Sequence, residues 1–478
     1  CKMILKRTSG ICIPKELENE TFYKHIKENL TRRFRNYGDS SFTYHSFFVE
    51  DDKILKIPRF FPIWDYINCK LENSFGPGED IKISHHITLR DELQKNIVSY
   101  LMENNRGIIQ ASPGSGKTVT GVCCVAERKK KTFILVHRDS LADQWKGPGT
   151  KEKPQGFLAF TDLKDDEVVR LTSSNFEDAL KKSVIICTDQ TFISLLRRNR
   201  ANFLIALNKA NIGIFIADEV HTTVGAPTFA ECSIHIPSAI AFGFSATPYR
   251  YDGNGDIIEY HLGEVFEPEG KATVMDARVT VMLFDYEISK KSFYYVHWGG
   301  YFQRARYLNL LRRSEMLEKV SKSLLEKFIK DNRDIVYITE RINHIDSLYK
   351  WAPTGSKTRF ISGDKIDVLD SKLVFSTPGK MRDGVDIPKK DCLIMLTPIN
   401  NIEQMCGRIV RVSKNKEQPI IIDLVDIGEK EISKQLSARV SYYEKQKWSI
   451  KYILLTSDGN MREISKDEVL EIVRRTNE

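Results

Sequence analysis

The sequence predicts an α/β protein of two tandem doubly wound parallel-sheet domains, preceded by a small α+β N-terminal domain. Three observations predict it. Apolar runs of strand length recur between segments with helical periodicity, which is the pattern of strands joined by crossover helices. Those runs are continuously apolar rather than alternating, as expected of strands covered on both faces. At 478 residues the chain is also too long for a single hydrophobic core.

The elements follow in chain order. Residues 3–13 can hold a strand that Pro14 ends, and because proline is tolerated in a helix's first turn, a helix is expected from there toward Phe34. Segments 42–50 and 53–61 read as a hairpin across Asp51-Asp52, and 73–80, with Gly76-Pro77-Gly78, as a linker. Residues 1–84 are therefore expected to form an accessory domain. The first sheet domain, 85–252, carries apolar runs at 107–110, 132–136, 183–187, 212–217 and 239–244. The second, 314–455, carries runs at 335–339, 358–361, 373–376, 393–396 and 420–424. Residues 253–313 are expected as a linker with an insertion, and 456–478 as a C-terminal tail.

Composition narrows the class. Hydrophobic residues at 41% and charged residues at 28% describe an ordinary globular chain. No apolar stretch approaches the roughly 18–20 residues that cross a bilayer, so no membrane partner is expected. The N-terminus carries Lys2, Lys6 and Arg7 where a signal peptide needs an apolar run, and it opens on Cys1 rather than Met, so trimming is expected. Nine scattered cysteines without a CxxC pair or a four-cysteine cluster argue against metal or iron–sulfur ligation. A reducing cytoplasm is the expected location. The net charge of +8 suits a polyanion partner and a mildly basic enzyme equally.

The chemistry starts at Ala111-Ser112-Pro113-Gly114-Ser115-Gly116-Lys117-Thr118, which follows a buried strand and opens a helix. That context makes it a phosphate-binding loop. Gly114 and Gly116 let the backbone turn its amides inward, with Ser115 between them, and the helix N-terminus adds its positive dipole end. Lys117 is placed to reach the β- and γ-phosphates of ATP, and Thr118 to hold Mg²⁺. A hundred residues on, the run 212–217 delivers Asp218-Glu219-Val220-His221 at a strand's carboxyl end, where ligands bind in such sheets. Asp218 is the second candidate for Mg²⁺, and Glu219 the candidate to orient and deprotonate water. Ser245-Ala246-Thr247-Pro248 ends the next strand; with His221, the hydroxyls of Ser245 and Thr247 are candidates for coupling phosphate state to domain movement.

In this order the motifs resemble superfamily 2 helicases, which implies that both sheet domains are RecA-like. Gln404-Met405-Cys406-Gly407-Arg408-Ile409-Val410-Arg411 looks like that superfamily's motif VI. The resemblance implies catalytic roles for Gln404, Arg408 and Arg411, the two arginines three apart on one helix face and serving as arginine fingers across the cleft between the domains. Thr377 through Pro388 is similar to motif V; it implies a nucleic-acid contact at Thr377 and nucleotide coupling at Gly384 and Asp386. Val136-His137-Arg138 through Gln144-Trp145 resembles motif Ia, and Thr188-Asp189-Gln190-Thr191 motif Ic, implying strand contacts at Arg138, Thr188 and Gln190. The adenine-side motif is R-x-x-Q in such proteins, whereas Arg90-Asp91-Glu92-Leu93-Gln94 has one extra residue; Gln94 is the candidate adenine reader. Leu55-Lys56-Ile57-Pro58-Arg59-Phe60-Phe61 looks like the N-terminal element of the UvsW-type helicases of tailed phages, relatives of the XPB-like branch, and 420–426 with Arg439-Val440-Ser441-Tyr442-Tyr443 through Trp448 resembles that branch too. That likeness implies an ATP-dependent DNA helicase acting on forks, Holliday junctions and R-loops, in host cytoplasm. An RNA helicase and an ATP-gated junction clamp are the alternatives.

Between Tyr286 and Arg313 lie eight aromatics and six basic residues against one acid, Glu287. Two readings stay open: a surface that stacks on unpaired bases, or aromatics packed against the second domain. Arg32, Arg33 and Arg35 likewise either grip duplex or solvate a helix.

Overall fold

The computed structural model describes residues 3–35, 42–112, 114–150, 153–226, 230–246, 248, 255–269, 274–285, 290–361, 371–382, 387, 389–396, 399, 402–413, 416–456 and 460–477. The chain divides into two compact units, Cys1–Ala272 and Thr273–Glu478.

In the first unit a seven-stranded sheet runs Val168–Arg170, Val184–Thr188, Thr132–Val136, Ile214–Asp218, Ile240–Ser245, Arg106–Gln110, Val265–Phe266. Every neighbouring pair in it is parallel. Its middle strands are buried at nearly every position, because helices cover both faces, which is why they read as unbroken apolar runs. The register aligns the carboxyl ends that matter. Asp218 pairs with Phe244, and Ser245 with Gln110, so the strand ending at Ser245 stands between the phosphate-loop strand and the Asp218 strand.

The N-terminal segment forms a five-stranded sheet, Val49–Glu50, Ile54–Pro58, Gly10–Pro14, Met3–Arg7, Cys69–Asn73. The expected helix toward Phe34 is shorter. It spans Thr21–Asn29, and Thr31–Arg35 is a strand paired with Phe42–Ser46. The expected hairpin of 42–50 with 53–61 is corrected accordingly: only Val49–Glu50 pairs with Ile54–Pro58. Arg32 and Arg33 thus lie on a strand, and Arg32 is ion-paired to Asp256 at 2.5 Å. This small sheet shares a core with the rest of its unit, since Ala230 and Ile257 pack among Leu5, Ile13, Leu55 and Phe61. Arg59 clasps it there: 3% exposed, it donates to Ser238 Oγ at 3.0 Å and to the carbonyls of Ile236 (2.7 Å) and Ser233 (3.1 Å).

The second unit holds an eight-stranded sheet, Lys357–Phe360, Leu373–Ser376, Ile335–Ile338, Cys392–Met395, Ile420–Asp426, Arg278–Phe284, Ser449–Leu455, Met461–Ile464. It is parallel up to the final antiparallel pair. Two expected boundaries need correction. Residues 253–313 are not a linker: the helix Gly255–Leu262 and strand Val265–Phe266 complete the first unit, while Arg278–Phe284 is an interior strand of the second sheet. Nor is 456–478 a tail, because Met461–Ile464 extends that sheet and Val469 sits in its core. Both units have the α/β parallel-sheet architecture of RecA-like domains. Among the described residues no helix is long and apolar enough to cross a membrane.

Candidate nucleotide site

The loop after the strand Arg106–Gln110 turns at Gly114 (φ 86°) and Gly116 (φ 93°), in the left-handed region that glycine alone enters cheaply. A Cβ at Gly116 would stand 2.1 Å from the Gln94 amide nitrogen. The helix Lys117–Arg128 begins directly after it, presenting unpaired amides to the loop's concavity. Ser115 is fully buried, and among the described residues its hydroxyl has no partner. Gln94 braces this loop. It is 3% exposed, its Nε2 donates to the Ser115 carbonyl at 3.0 Å, and its Oε1 accepts from the Arg90 amide at 2.8 Å. Both ends of the amide expected to read adenine are thus engaged by protein backbone.

Lys117 Nζ lies 3.1 Å from Glu219 Oε1, joining the loop to the acidic pair. Glu219 itself sits at φ 49°, a conformation rare for a residue with a Cβ, between the strand ending at Asp218 and the short helix Val220–Thr223. Asp218 is 4% exposed; burial, then the neighbouring Glu219 charge, push its carboxyl up to about 6, opposed by Lys117 and by a hydrogen bond from Trp145. His221 Nδ1 is 3.0 Å from Ser245 Oγ and 3.6 Å from Glu219 Oε2, so the acidic pair and the next strand's end are in contact.

Two residues missed as site residues complete the arrangement. On the helix Asp139–Lys146, Gln144 Nε2 donates to Thr118 Oγ1 at 2.8 Å and the Trp145 indole donates to Asp218 Oδ2 at 2.8 Å. Adjacent residues of one helix therefore hold both oxygen-bearing side chains expected to take a metal. A hydroxyl and a carboxylate are few ligands, and among the described residues no group of three His, Cys, Asp or Glu is placed to hold an ion. That donor set fits magnesium, which keeps several waters and shares the rest with phosphates.

Arg138 and Gln190 are exposed at the ends of adjacent paired strands, Thr132–Val136 and Val184–Thr188. Thr188 caps the following helix, accepting from the Thr191 amide at 3.2 Å. His137 and the buried Asp189 tie the two loops together at 2.7 Å, another link that motif spacing does not reveal. In the second unit Thr377 accepts from the Lys380 amide at 3.4 Å and starts the helix Pro378–Arg382. Arg408 is 5% exposed and donates to the Met381 carbonyl. The expectation of two arginines on one helix face is corrected: the helix Glu403–Ile409 stops short of Arg411, which forms an antiparallel bridge with Val274. Thr247, Gly384 and Asp386 lie outside the described residues, as does the side chain of Gln404.

Residues 83–250 match the family of the type III restriction enzyme res subunit. A protein of Acanthamoeba polyphaga mimivirus, provisionally named an ATP-dependent RNA helicase, is 25% identical over 96% of this chain and 89% of its own length. The XPB helicase/translocase subunit of general transcription and DNA repair factor IIH from Encephalitozoon cuniculi is 23% identical over 87% of this chain and 63% of its own. Among solved structures, a fragment assigned to the HsdR subunit of a type I restriction enzyme from Vibrio vulnificus superposes with a TM-score of 0.51 at 14% identity, covering 80% of this chain and 71% of that one. The last likeness speaks to the fold.

Proposed function

We propose that this chain, with XPB-like and viral helicases among its relatives, is a superfamily 2 motor: an ATP-dependent DNA helicase or translocase that remodels branched DNA, namely forks, Holliday junctions and R-loops. The observation that carries the proposal is the Lys117–Glu219 pair at 3.1 Å, set where the carboxyl ends of three adjacent strands meet. A triphosphate in the glycine loop offers Lys117 a stronger anion than one carboxylate. Lys117 then turns to the β- and γ-phosphates, releasing Glu219 to orient and deprotonate the attacking water. Thr118 and Asp218 are the residues that would hold magnesium, which when bound neutralises charge developing on the phosphates. Arg408 and Arg411 are assigned to ATP turnover, with Gln404, on their likeness to motif VI; Gly384 and Asp386 are assigned to coupling.

Arg138, Thr188, Gln190 and Thr377 are the proposed strand contacts. Such contacts fall on the sugar–phosphate backbone, so binding is sequence-independent and weakens with salt. The branched-DNA reading, in phage replication, recombination or repair, is supported by the flanking segments similar to UvsW-type helicases and to the XPB-like branch. An RNA helicase is the second reading, favoured by the name of the mimivirus relative. The test compares ATPase stimulation by forked DNA, four-way junctions, single strands and RNA, alongside ATP-dependent branch migration. Forked or four-way DNA should stimulate most, and both Lys117→Ala and Glu219→Gln should abolish turnover. Stimulation by RNA alone would shift the assignment to the second reading. Normal hydrolysis by either variant would overturn the residue roles.

A further inference from the structure

The helix Lys290–Val296, the turn Trp298–Gly300 and the helix Arg304–Leu311 form a cap on the second unit, and their aromatics divide in two. Tyr307 is fully buried with its hydroxyl on Asp426, and Val296 and Phe302 pack with it into the core. The others face solvent: Phe293 is 50% exposed, Tyr294 75%, Tyr295 42%, Trp298 66% and Tyr301 64%. These are five of the seven exposed aromatics among the described residues, gathered within nine positions. Packing against the domain therefore explains Phe302 and Tyr307 and leaves these five unexplained.

The exposed set is held in place. The Arg306 guanidinium lies over both the Tyr295 ring (5.0 Å) and the Trp298 ring (5.2 Å), and its Nη1 donates to the Tyr295 carbonyl at 3.1 Å. Phe293 stacks on His297 at 4.1 Å. Gly299 (φ 68°) and Gly300 (φ 80°) make the turn between Trp298 and Tyr301, and a Cβ on either would meet nothing within 4 Å. Residues 290–313 contain six Lys and Arg and no Asp or Glu. Two acids from neighbouring elements meet the segment, Glu340 on Arg304 and the buried Glu429 at 3.5 Å from His297 Nε2; basic residues still outnumber them, and ordered aromatic faces in a basic surround suit a polyanion whose units carry π-faces.

We propose that Phe293, Tyr294, Tyr295, Trp298 and Tyr301 form a stacking platform for the unpaired bases of a single nucleic-acid strand. Resting on the helicase reading above, it names the surface that takes the separated strand. Ring stacking is tolerant of base identity, and removing one aromatic weakens binding by about 5–150-fold per base lost. Arg312 and Arg313, both exposed, supply phosphate neutralisation beside it.

The experiment measures Kd of the full chain for oligo(dT), oligo(U) and blunt duplex DNA across a salt series, for wild type, Tyr294→Ala/Trp298→Ala and Arg312→Ala/Arg313→Ala. The aromatic pair should raise the ratio of single-strand to duplex Kd about tenfold or more, leaving the salt slope of single-strand binding unchanged. The arginine pair should reduce that slope. The two oligonucleotide arms tell whether the strand is DNA or RNA. An unchanged ratio in the aromatic pair overturns the platform, and so does loss of a self-associated species in sedimentation without a change in ratio, which would make the patch a contact between copies. If wild-type ATPase responds to no nucleic acid at all, the helicase reading fails instead.

Discussion

Replacing Trp145 by Phe tests whether its indole is packing or part of the site. The ring is fully buried, and its N–H is 2.8 Å from Asp218 Oδ2, while the Glu219 amide serves Oδ1 at 3.0 Å. Phe keeps an aromatic ring and deletes the donor. A hydrogen bond to a buried charged group is worth about 1.5–3 kcal/mol, or roughly 10–150-fold in an equilibrium constant. Losing an outer-shell partner of a metal ligand typically costs about 10–100-fold in metal affinity or activity, the same range reached independently. Trp145→Phe should therefore raise the magnesium concentration for half-maximal ATPase by about 10–100-fold. The smaller ring also leaves a void, which lowers the urea midpoint but has no reason to alter magnesium dependence. Phe157→Leu, altering a buried ring 6.4 Å from the indole centroid, supplies that control: a lower midpoint with the magnesium titration unmoved. A wild-type magnesium titration for Trp145→Phe, with only the urea midpoint lowered, would refute the reasoning.

Gln94→Ala should weaken ATP and GTP hydrolysis by the same factor, because its amide holds the Arg90 and Ser115 backbone; a changed ATP-to-GTP preference would instead restore it as an adenine reader. His261 is fully buried, and both ring nitrogens lack partners among the described residues; burial, then the nearby Arg59 charge, lower its pKa to about 3. Below about pH 6.5 the unfolded chain takes up a proton that the folded chain refuses, so stability falls by about 1.4 kcal/mol per pH unit from there toward pH 3. His261→Leu should flatten that part of the urea-midpoint profile, and parallel profiles would sink the assignment. In the second unit Arg439 pairs with Asp423, both essentially inaccessible, and Tyr443 donates to the same carboxylate at 2.9 Å. Arg439→Met should cost about 3–5 kcal/mol in urea unfolding by stranding that carboxylate, and Asp423→Leu on top should recover much of it; a single variant as stable as wild type would contradict this.

Nine of the ten runs were legible because a strand covered on both faces has no polar positions to blur it; the tenth, Lys357–Phe360, is an edge strand with an exposed Arg359. Thr132–Val136 and Leu373–Ser376 match their expected bounds. Arg278–Phe284 escaped notice for a different reason: it is as apolar as the others, but it follows a stretch of Gly, Glu and Lys that reads as a hinge. Ser449–Leu455 and Met461–Ile464 lie toward the sheet edge, where half-exposed positions dilute the pattern. Sequence order also hid the N-terminal pairing, since Thr31–Arg35 with Phe42–Ser46 reads as a helix end followed by a hairpin arm. The phosphate-loop and acidic candidates each stand out as a short local motif, 111–118 and 218–221, and the structure brings Lys117 and Glu219 together at 3.1 Å. Their partners, Gln144 to Thr118 and Trp145 to Asp218, sit 26 and 73 residues away, and the motif Ia likeness that ends on them does not reveal these contacts.

That pair of contacts bears on how a strand contact can reach the nucleotide. The helix Asp139–Lys146 has Arg138 immediately before its first residue and Gln144 and Trp145 in its last turn. Eight residues at about 1.5 Å each make a rod of about 12 Å, stiff over its whole length because its backbone bonds are internal. Were Arg138 to hold a strand phosphate as proposed, a pull on it would pass along this helix toward Thr118 and Asp218 with no flexible connection inside the helix to absorb it. The loop at Arg138 is tethered sideways as well, through His137 to the buried Asp189 at 2.7 Å, so the exposed Arg138 and Gln190 move with the same body. The coupling free energy such an arrangement transmits is reciprocal: whatever strand binding does to metal and nucleotide affinity, nucleotide does to strand affinity. Trp145→Phe should therefore also shrink the change in single-strand Kd that ATP produces in the wild-type protein. An undiminished response to ATP in that variant would mean that coupling runs outside this helix.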